Sequence, residues 1–227
     1  MKKFNWFNSM FALPAAVLAV GSLAYAQERS SAPAIVTHTC SGCHGLDGQS
    51  QLPYIPRLAG LSAAYTERKL ARFQTGAAWP VDEAFSRLVH PGNSSKEAQI
   101  SAAATAHMVG LARTVSEEDK KAAAKWYAAQ KPARGSSGNR KLIEAGRALF
   151  SDGLESQGLT ACQACHGAEA QGTEIAPRLA GQNAQYVAAQ LSLFRAGGYR
   201  QSPEMTAVAR SVEGDQARAI AAYLQSR

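Results

Sequence analysis

Two short segments carry residue types that can do chemistry together. Residues 40–45 read CSGCHG and residues 162–167 read CQACHG, so a histidine directly follows each pair of cysteines. Cysteines at this spacing occur in disulfides, zinc sites, redox-active dithiols and covalent haem attachment sites. The chain has four cysteines in total, so one of these four chemistries must account for all of them.

Haem attachment is the reading that also gives the two histidines a role. A disulfide framework leaves them unexplained. A zinc site built from both pairs would join segments 122 residues apart and still not use the histidines. A thioredoxin-like dithiol follows a strand, and no strand pattern precedes either motif. We therefore predict two haem c groups, with thioether bonds and histidine–iron bonds. The predicted residues are Cys40, Cys43 and His44, and Cys162, Cys165 and His166.

Two methionines are candidates for the remaining axial position of each iron. Outside the N-terminal leader the chain has only Met108 and Met205, and they stand at matching places in MVGLAR and MTAVAR. A lone methionine usually fills a gap in a core, whereas a matched pair with no others favours iron ligation. His107 is the alternative ligand for the first haem because it directly precedes Met108.

Two prolines follow the histidines at similar distances. Pro56 lies 12 residues after His44, and Pro177 lies 11 residues after His166. A proline carbonyl could accept a hydrogen bond from Nδ1–H of the imidazole and raise its basicity. From spacing alone, a simple turn before a helix explains these prolines equally well.

Two arginines come directly after those prolines. Arg57 and Arg178 could pair with haem propionates, and the alternative is that they are solvated surface side chains. We interpret His38 and His90 as ordinary surface or loop histidines.

An internal repeat indicates how these residues are positioned. PRLAGLSAAYTERKLARFQTG (56–76) aligns with PRLAGQNAQYVAAQLSLFRAG (177–197), and a repeat of this length is a duplicated domain. We predict a first domain at 27–131, a linker rich in Gly and Ser at 132–139 and a second domain at 140–227.

The apolar periodicity predicts an all-α fold. Apolar residues recur every three or four positions and strand-like alternation is absent. Apolar spacing predicts helices at 62–75 and 183–195, each ended by a glycine, and one starting near Asn139. Ser116 with Asp119 is a capping pattern ahead of a further helix, whose counterpart in the second domain is predicted at about 215–224. Gly146 should let the helix after Asn139 approach the last helix closely. The predicted cores are small and rich in alanine, so a haem would supply much of their apolar content.

The N-terminus has the pattern of an export signal. Lys2 and Lys3 precede an apolar run over residues 11–26 that ends in AYA, a signal-peptidase pattern. We predict a signal peptide at 1–26, a mature start near Gln27 and a periplasmic location; an uncleaved anchor is the alternative. The net charge is +7, but no basic block occurs in either domain, which argues against nucleic-acid binding.

The tandem motifs CSGCHG…PRLAG…M and CQACHG…PRLAG…M resemble the dihaem cytochrome c4 family over essentially the whole mature chain. The resemblance implies two class I cytochrome c domains, axial pairs His44–Met108 and His166–Met205, and carbonyl acceptors at Pro56 and Pro177. It also implies periplasmic electron carriers, soluble or membrane-associated, that often pass electrons toward terminal oxidases.

The first domain departs from this pattern. Met108 lies 32 positions after Gly76, whereas Met205 lies 8 positions after the matching Gly197. The first domain therefore has 24 extra residues within 77–107, a segment that contains Trp79. Ser94 with Glu97 suggests that the insertion includes a helix, and a long insertion is a candidate docking surface.

Three functions remain open from the sequence. An electron carrier for redox-protein partners is favoured, because both irons would have two protein ligands and no open position. The second possibility is the haem subunit of a dehydrogenase complex. The third is a dihaem redox enzyme, such as a peroxidase or a sulfur-oxidising cytochrome, which requires an open haem site. We expect the chain not to be an enzyme.

Overall fold

The computed structural model describes residues 32–75, 96–197 and 202–227. The predicted signal peptide and residues Trp79 and His90 lie outside these ranges. A π-helical turn, Val36–Cys40, precedes the first helix, and a 3-10 turn spans Glu155–Gln157. The helices are α1 (Ser41–His44), α2 (Ala63–Gln74), α3 (Lys96–Ala112), α4 (Glu117–Ala129), α5 (Arg140–Asp152), α6 (Gln163–His166), α7 (Ala184–Arg195), α8 (Pro203–Arg210) and α9 (Gly214–Gln225).

The predicted all-α fold class is confirmed. In the described ranges the only β-type pairing is an isolated bridge between Leu154 and Leu159. Two helices start where they were predicted. The Asn139 side chain accepts backbone N–H bonds at the start of α5, and Ser116 does the same at the start of α4, where a cap was expected. Within the same ranges no helix is both long and apolar enough to cross a membrane.

The second domain is built on the crossing of α5 and α9. Gly146 lies directly against the backbone of Ala219, and a Cβ atom at Gly146 would overlap the Ala219 carbonyl. One turn later the rings of Phe150 and Tyr223 pack with centroids 5.4 Å apart. The sequence prediction of a close approach at Gly146 is therefore confirmed.

The first domain has a shorter N-terminal helical segment in the same place. Residues 34–44 are helical, and Val36 is fully buried against Ala123 and Tyr127 of α4. The chain beyond α1 is tied to α4 by the Trp126 indole, whose Nε1 donates to the Leu46 carbonyl at 2.7 Å. Trp126 and Tyr127 of α4 are the aromatic side chains that pack on this segment.

Helix α3 packs on both domains. Its first part, Lys96–His107, is the described part of the predicted insertion, and the expected helix is present. Its buried residues recur every three or four positions, which defines one apolar face. That face packs on Phe73 of α2 and on Leu193 of α7, and Gln190 Nε2 of α7 donates to Ser101 Oγ at 2.8 Å. The insertion therefore contributes a helix to the interface between the domains.

The linker also packs on both domains. The Gln49 side chain donates to the carbonyl of Lys131, the residue that precedes the linker. Within the linker, the Ser136 N–H donates to the Gln225 carbonyl. Gly60 and Gly181, at φ +71° and +78°, lie against linker residues so closely that a Cβ would collide with them. The described residues from Pro33 onward accordingly form one compact unit.

Candidate haem-binding sites

Each CxxCH motif occupies one helical turn that ends at a glycine. Gly45 and Gly167 have φ of +80° and +81°, a conformation that favours glycine. It turns the chain away immediately after the histidine. In both domains a hydroxyl caps the carbonyl of the second cysteine: Ser50 Oγ donates to Cys43 and Thr173 Oγ1 donates to Cys165, each at 2.8 Å. The duplicated sequence thus produces two turns of the same design.

The two imidazoles are buried and oriented in the same way. His44 and His166 are 8% and 6% exposed. Their Nδ1 atoms lie 2.9 Å from the carbonyl oxygens of Pro56 and Pro177, respectively. A proton on Nδ1 donates to each carbonyl, so Nε2 carries the lone pair that could bind a metal.

Burial also sets the charge of these rings. Loss of hydration lowers the pKa of His44 and of His166, and the bond to the proline carbonyl opposes that shift only in part. Both imidazoles are therefore held neutral at neutral pH. Neutral imidazole is the form of histidine that binds metals.

The four cysteines are all free thiols. Burial raises the pKa of Cys40 to about 11, with a smaller contribution from the Asp119 carboxylate, and burial likewise raises the pKa of Cys162 to about 11. Protonated thiols are weak nucleophiles, which does not suit a redox dithiol. Among the described residues no three His, Cys, Asp or Glu side chains cluster as a zinc site requires. The geometry leaves haem attachment as the best use of the motifs.

The methionines lie on helices that follow α2 and α7. Met108 is on α3 and is partly buried against the apolar cluster that includes Phe73 of α2 and Leu193 of α7. Met205 is on α8 and is also partly buried. His107, the alternative ligand, is exposed. Of the two neighbouring candidates in the first domain, Met108 is the one that points into the protein.

Comparison with known proteins gives the family. The cytochrome c family model matches residues 31–126 and 143–227. Cytochrome c4 of Azotobacter vinelandii is 30% identical over 213 residues, which cover 92% of this chain and 93% of that protein. The crystal structure of reduced recombinant cytochrome c4 from Pseudomonas stutzeri has a TM-score of 0.68 at 26% identity, covering 88% of this chain and 97% of that chain. The chain belongs to the cytochrome c4 family.

As a cytochrome c4, the chain is a dihaem electron-transfer protein with two covalently bound haem c groups, as the sequence predicted. It is also similar to the thiosulfate dehydrogenase electron acceptor of Stutzerimonas stutzeri (strain A1501). The two chains are 30% identical over 190 residues, which cover 81% of this chain and 76% of that protein.

The residues of this cytochrome c4 fit haem c. The buried Nε of Arg178 has no hydrogen-bond partner among the described residues, and a propionate is the kind of anion that would satisfy it. Arg57 is placed differently: its Nε donates to the Ser50 carbonyl at 3.4 Å, and its terminal Nη1 donates to the Gly181 carbonyl of the other domain. The two matched arginines therefore have different surroundings.

Sequence reasoning missed two polar residues near the first site, Gln182 and Asn183. They belong to the second domain but bind backbone groups of the first. One sequence signal could have identified them. The repeats are identical through PRLAG and then diverge to Leu61-Ser62 in one and Gln182-Asn183 in the other.

Proposed function

We propose that this cytochrome c4 is a periplasmic carrier of single electrons between redox proteins, with two irons of His/Met ligation. The observation that carries the proposal is the same donor set in both domains: a buried neutral imidazole oriented by a proline carbonyl, together with a matched methionine. A histidine and a methionine of the protein would hold each iron and leave no place for a substrate, so its chemistry would be limited to electron transfer.

The side chains of this protein would divide the work as follows. Cys40 and Cys43 would hold the first haem by thioether bonds, and Cys162 and Cys165 the second. The proline carbonyls hold the imidazole rings in one orientation and raise their basicity. Arg178 would neutralise a propionate. The haem, when bound, supplies the one-electron iron couple.

Methionine ligation would set the reduction potentials high. A thioether sulfur is a soft donor, so it favours ferrous over ferric iron, and His/Met ligation raises the potential relative to His/His ligation. Both Met108 and Met205 are proposed ligands. A dihaem enzyme would need one open position, which this pair of methionines argues against.

The ligands can be tested by the far-red iron–methionine charge-transfer band of the oxidised holoprotein. We expect the band to have the intensity of two such bonds. Met108→Leu and Met205→Leu should each remove about half of it. His107→Ala, next to the proposed ligand but exposed, is the matched control and should leave the band unchanged.

Two results would contradict this assignment. If wild type shows half the intensity and His107→Ala changes the spectrum, His107 is the ligand of the first haem. High-spin features in the wild-type spectrum would instead indicate an open iron and revive the enzymatic alternative.

The proposed location is supported by the leader pattern of residues 1–26. We expect the mature protein recovered from the periplasmic fraction to begin near Gln27 and to carry the mass of two haem groups. A haem-loaded protein that retains residues 1–26 and fractionates with membranes would favour the uncleaved-anchor alternative.

A second candidate is the haem subunit of a dehydrogenase complex. Its support is the similarity to a protein that is named as an electron acceptor of thiosulfate dehydrogenase. The exposed side of α3, including Ile100, offers one surface for such a partner. Native purification distinguishes the two candidates: a stoichiometric catalytic subunit that survives high salt favours the complex, and a protein recovered alone favours the free carrier.

A further inference from the structure

Two buried amide side chains of the second domain bind the loop of the first domain that contains Pro56. Gln182 and Asn183 lie just before α7 and are 7% and 6% exposed. Asn183 Nδ2 lies within hydrogen-bond distance of three carbonyl oxygens, those of Ser50 at 3.3 Å and of Leu52 and Ile55 at 3.0 Å each. Buried amides in so many contacts hold the loop rigidly.

Gln182 makes two hydrogen bonds to the backbone of Arg57, the residue after Pro56 in the same loop. Its Oε1 accepts from the Arg57 N–H at 2.8 Å, and its Nε2 donates to the Arg57 carbonyl at 3.0 Å. The N–H of Asn183 also donates to Gln182 Oε1 at 2.9 Å. With both ends of the amide engaged, its orientation is fixed by its partners.

These contacts lie on either side of the carbonyl that orients His44. Asn183 holds Ile55 and Gln182 holds Arg57, the two neighbours of Pro56. The Pro56 carbonyl and the Arg57 N–H belong to one planar peptide group. Gln182 therefore fixes the tilt of the peptide whose oxygen accepts the Nδ1–H of His44.

Gln182 should also make that oxygen a stronger acceptor. When a peptide N–H donates a hydrogen bond, the group is polarised and its carbonyl accepts more strongly. A stronger acceptor on Nδ1 makes the imidazole a better electron donor through Nε2. More donation from His44 stabilises ferric iron and lowers the potential of the first haem.

The first-domain side chain that reaches the corresponding loop of the second domain is Arg68, whose Nη2 donates to the Glu174 carbonyl at 3.2 Å, three residues before Pro177. The residues that match Gln182 and Asn183 in the repeat do not bind that loop in the same way. Leu61 stands where Gln182 stands in the repeat, and an aliphatic side chain cannot hydrogen-bond to a peptide. Ser62 stands at the place of Asn183, and it caps its own helix by accepting from the Tyr65 N–H. Because the repeats differ at these two positions, the hydrogen bonds of Gln182 and Asn183 act on the loop beside His44 and have no matched pair at residues 61 and 62.

We propose that Gln182, assisted by Asn183, is a positioning residue for the proximal ligand of the first haem, so that the second domain tunes that haem's reduction potential. The inference rests on the proposed role of His44 as an iron ligand. The hydrogen bonds of Gln182 would make the reduction potentials of the two haems differ even if their iron ligands are the same. The contact between the domains would then influence the reduction potential of the first haem.

The test replaces each residue by its counterpart in the first domain, in the full-length holoprotein. For Gln182→Leu we expect the first haem's potential to rise by about 30–60 mV, a roughly threefold to tenfold change in its reduction equilibrium. The second haem's potential should not move. In the reduced state, the His44 Nδ1 proton resonance should shift as its hydrogen bond weakens, and that of His166 should stay in place.

Gln190→Leu is the matched control. It also removes an amide that hydrogen-bonds across the domains, from Gln190 to Ser101, but it leaves the Pro56–Arg57 peptide intact. If Gln190→Leu shifts the first haem's potential as much as Gln182→Leu does, the effect is general loosening of the interface and the proposal is wrong. Unchanged potentials in a Gln182→Leu protein with two haems would also overturn it.

A second variant keeps the test decisive if Gln182→Leu does not fold. Asn183→Ser loosens the Ile55 side of the loop and should give a smaller rise confined to the first haem; no rise would overturn the proposal. Failure of the proposed function would be visible earlier, because the wild-type protein would then lack two haems or would lack histidine ligation in the reduced-state spectrum.

Discussion

At the residue scale, the chemistry was predictable wherever it depends on short spacing. The CxxCH motifs and the matched methionines are local patterns, so the sequence alone indicated two haem sites. Gln182 was not predictable in this way, because its partner Arg57 lies 125 residues away. The same holds for Ser50 and Thr173, whose hydroxyls are ordinary until folding brings them to the cysteine carbonyls.

One residue-scale prediction concerns Tyr127. Its hydroxyl donates to the Gly45 carbonyl at 3.1 Å, one residue beyond His44, and the side chain is 1% exposed. Tyr127→Phe should lower the free energy of unfolding by about 1 kcal/mol, because a buried carbonyl loses its donor. Denaturant unfolding of the holoprotein measures this. Tyr223→Phe, which keeps the ring contact with Phe150, is the control, and an equal loss there would refute the assignment.

At the element scale, helix existence followed from caps and periodicity, while helix partners did not. Asn139 and Ser116 each begin a helix as predicted, because capping is a local interaction. Helix α3 was also expected, but its packing on α7 depends on residues in a different domain. One face of α3 is buried there, so a docking surface on residues 96–107 is restricted to the opposite face.

The element-scale prediction compares two helical glycines. Gly146→Ala should destabilise the protein by about 1–3 kcal/mol, because the new Cβ overlaps the Ala219 carbonyl and α5 must move away from α9. Gly110→Ala on α3 is the matched control, because no atom of the described residues lies within 4 Å of a new Cβ there. There we expect a gain of about 0.5–1 kcal/mol from helix propensity. Thermal unfolding measures both, and a stable Gly146→Ala protein would disprove the close crossing.

At the scale of the whole molecule, the described residues from Pro33 onward act as one unit although the sequence is a repeat. The domains are joined by the apolar face of α3, by the packed linker and by the hydrogen bonds of Gln182 and Asn183. The Arg57 and Arg68 side chains also cross between them, donating to the Gly181 and Glu174 carbonyls. A sequence repeat indicates duplication but carries no information on how the copies are joined, since each interface contact pairs residues from different copies. The asymmetry of the two haem sites arises from these contacts.

The whole-molecule prediction concerns Leu193, which is fully buried at the junction of α7 with α3. Leu193→Ala should cost about 2–5 kcal/mol and lower the melting temperature by about 2–4 °C per kcal/mol. Because Leu193 joins the domains, we expect the wild-type protein to unfold in a single calorimetric transition and the Leu193→Ala transition to split or broaden. Ile175→Ala, at a site that is 80% exposed, should leave the transition unchanged. A lower but still single, sharp transition would show that the domains are coupled elsewhere.

The packing of α3 on α7 has a consequence for biogenesis. During synthesis, residues 96–112 emerge well before residues 184–195, yet part of the surface that buries α3 belongs to the later segment. Helix α3, which carries Met108, therefore cannot bury its whole apolar face until α7 has been synthesised. The domain that is translated first is therefore completed last, and a chain truncated before residue 184 should lack the α7 side chains that cover α3.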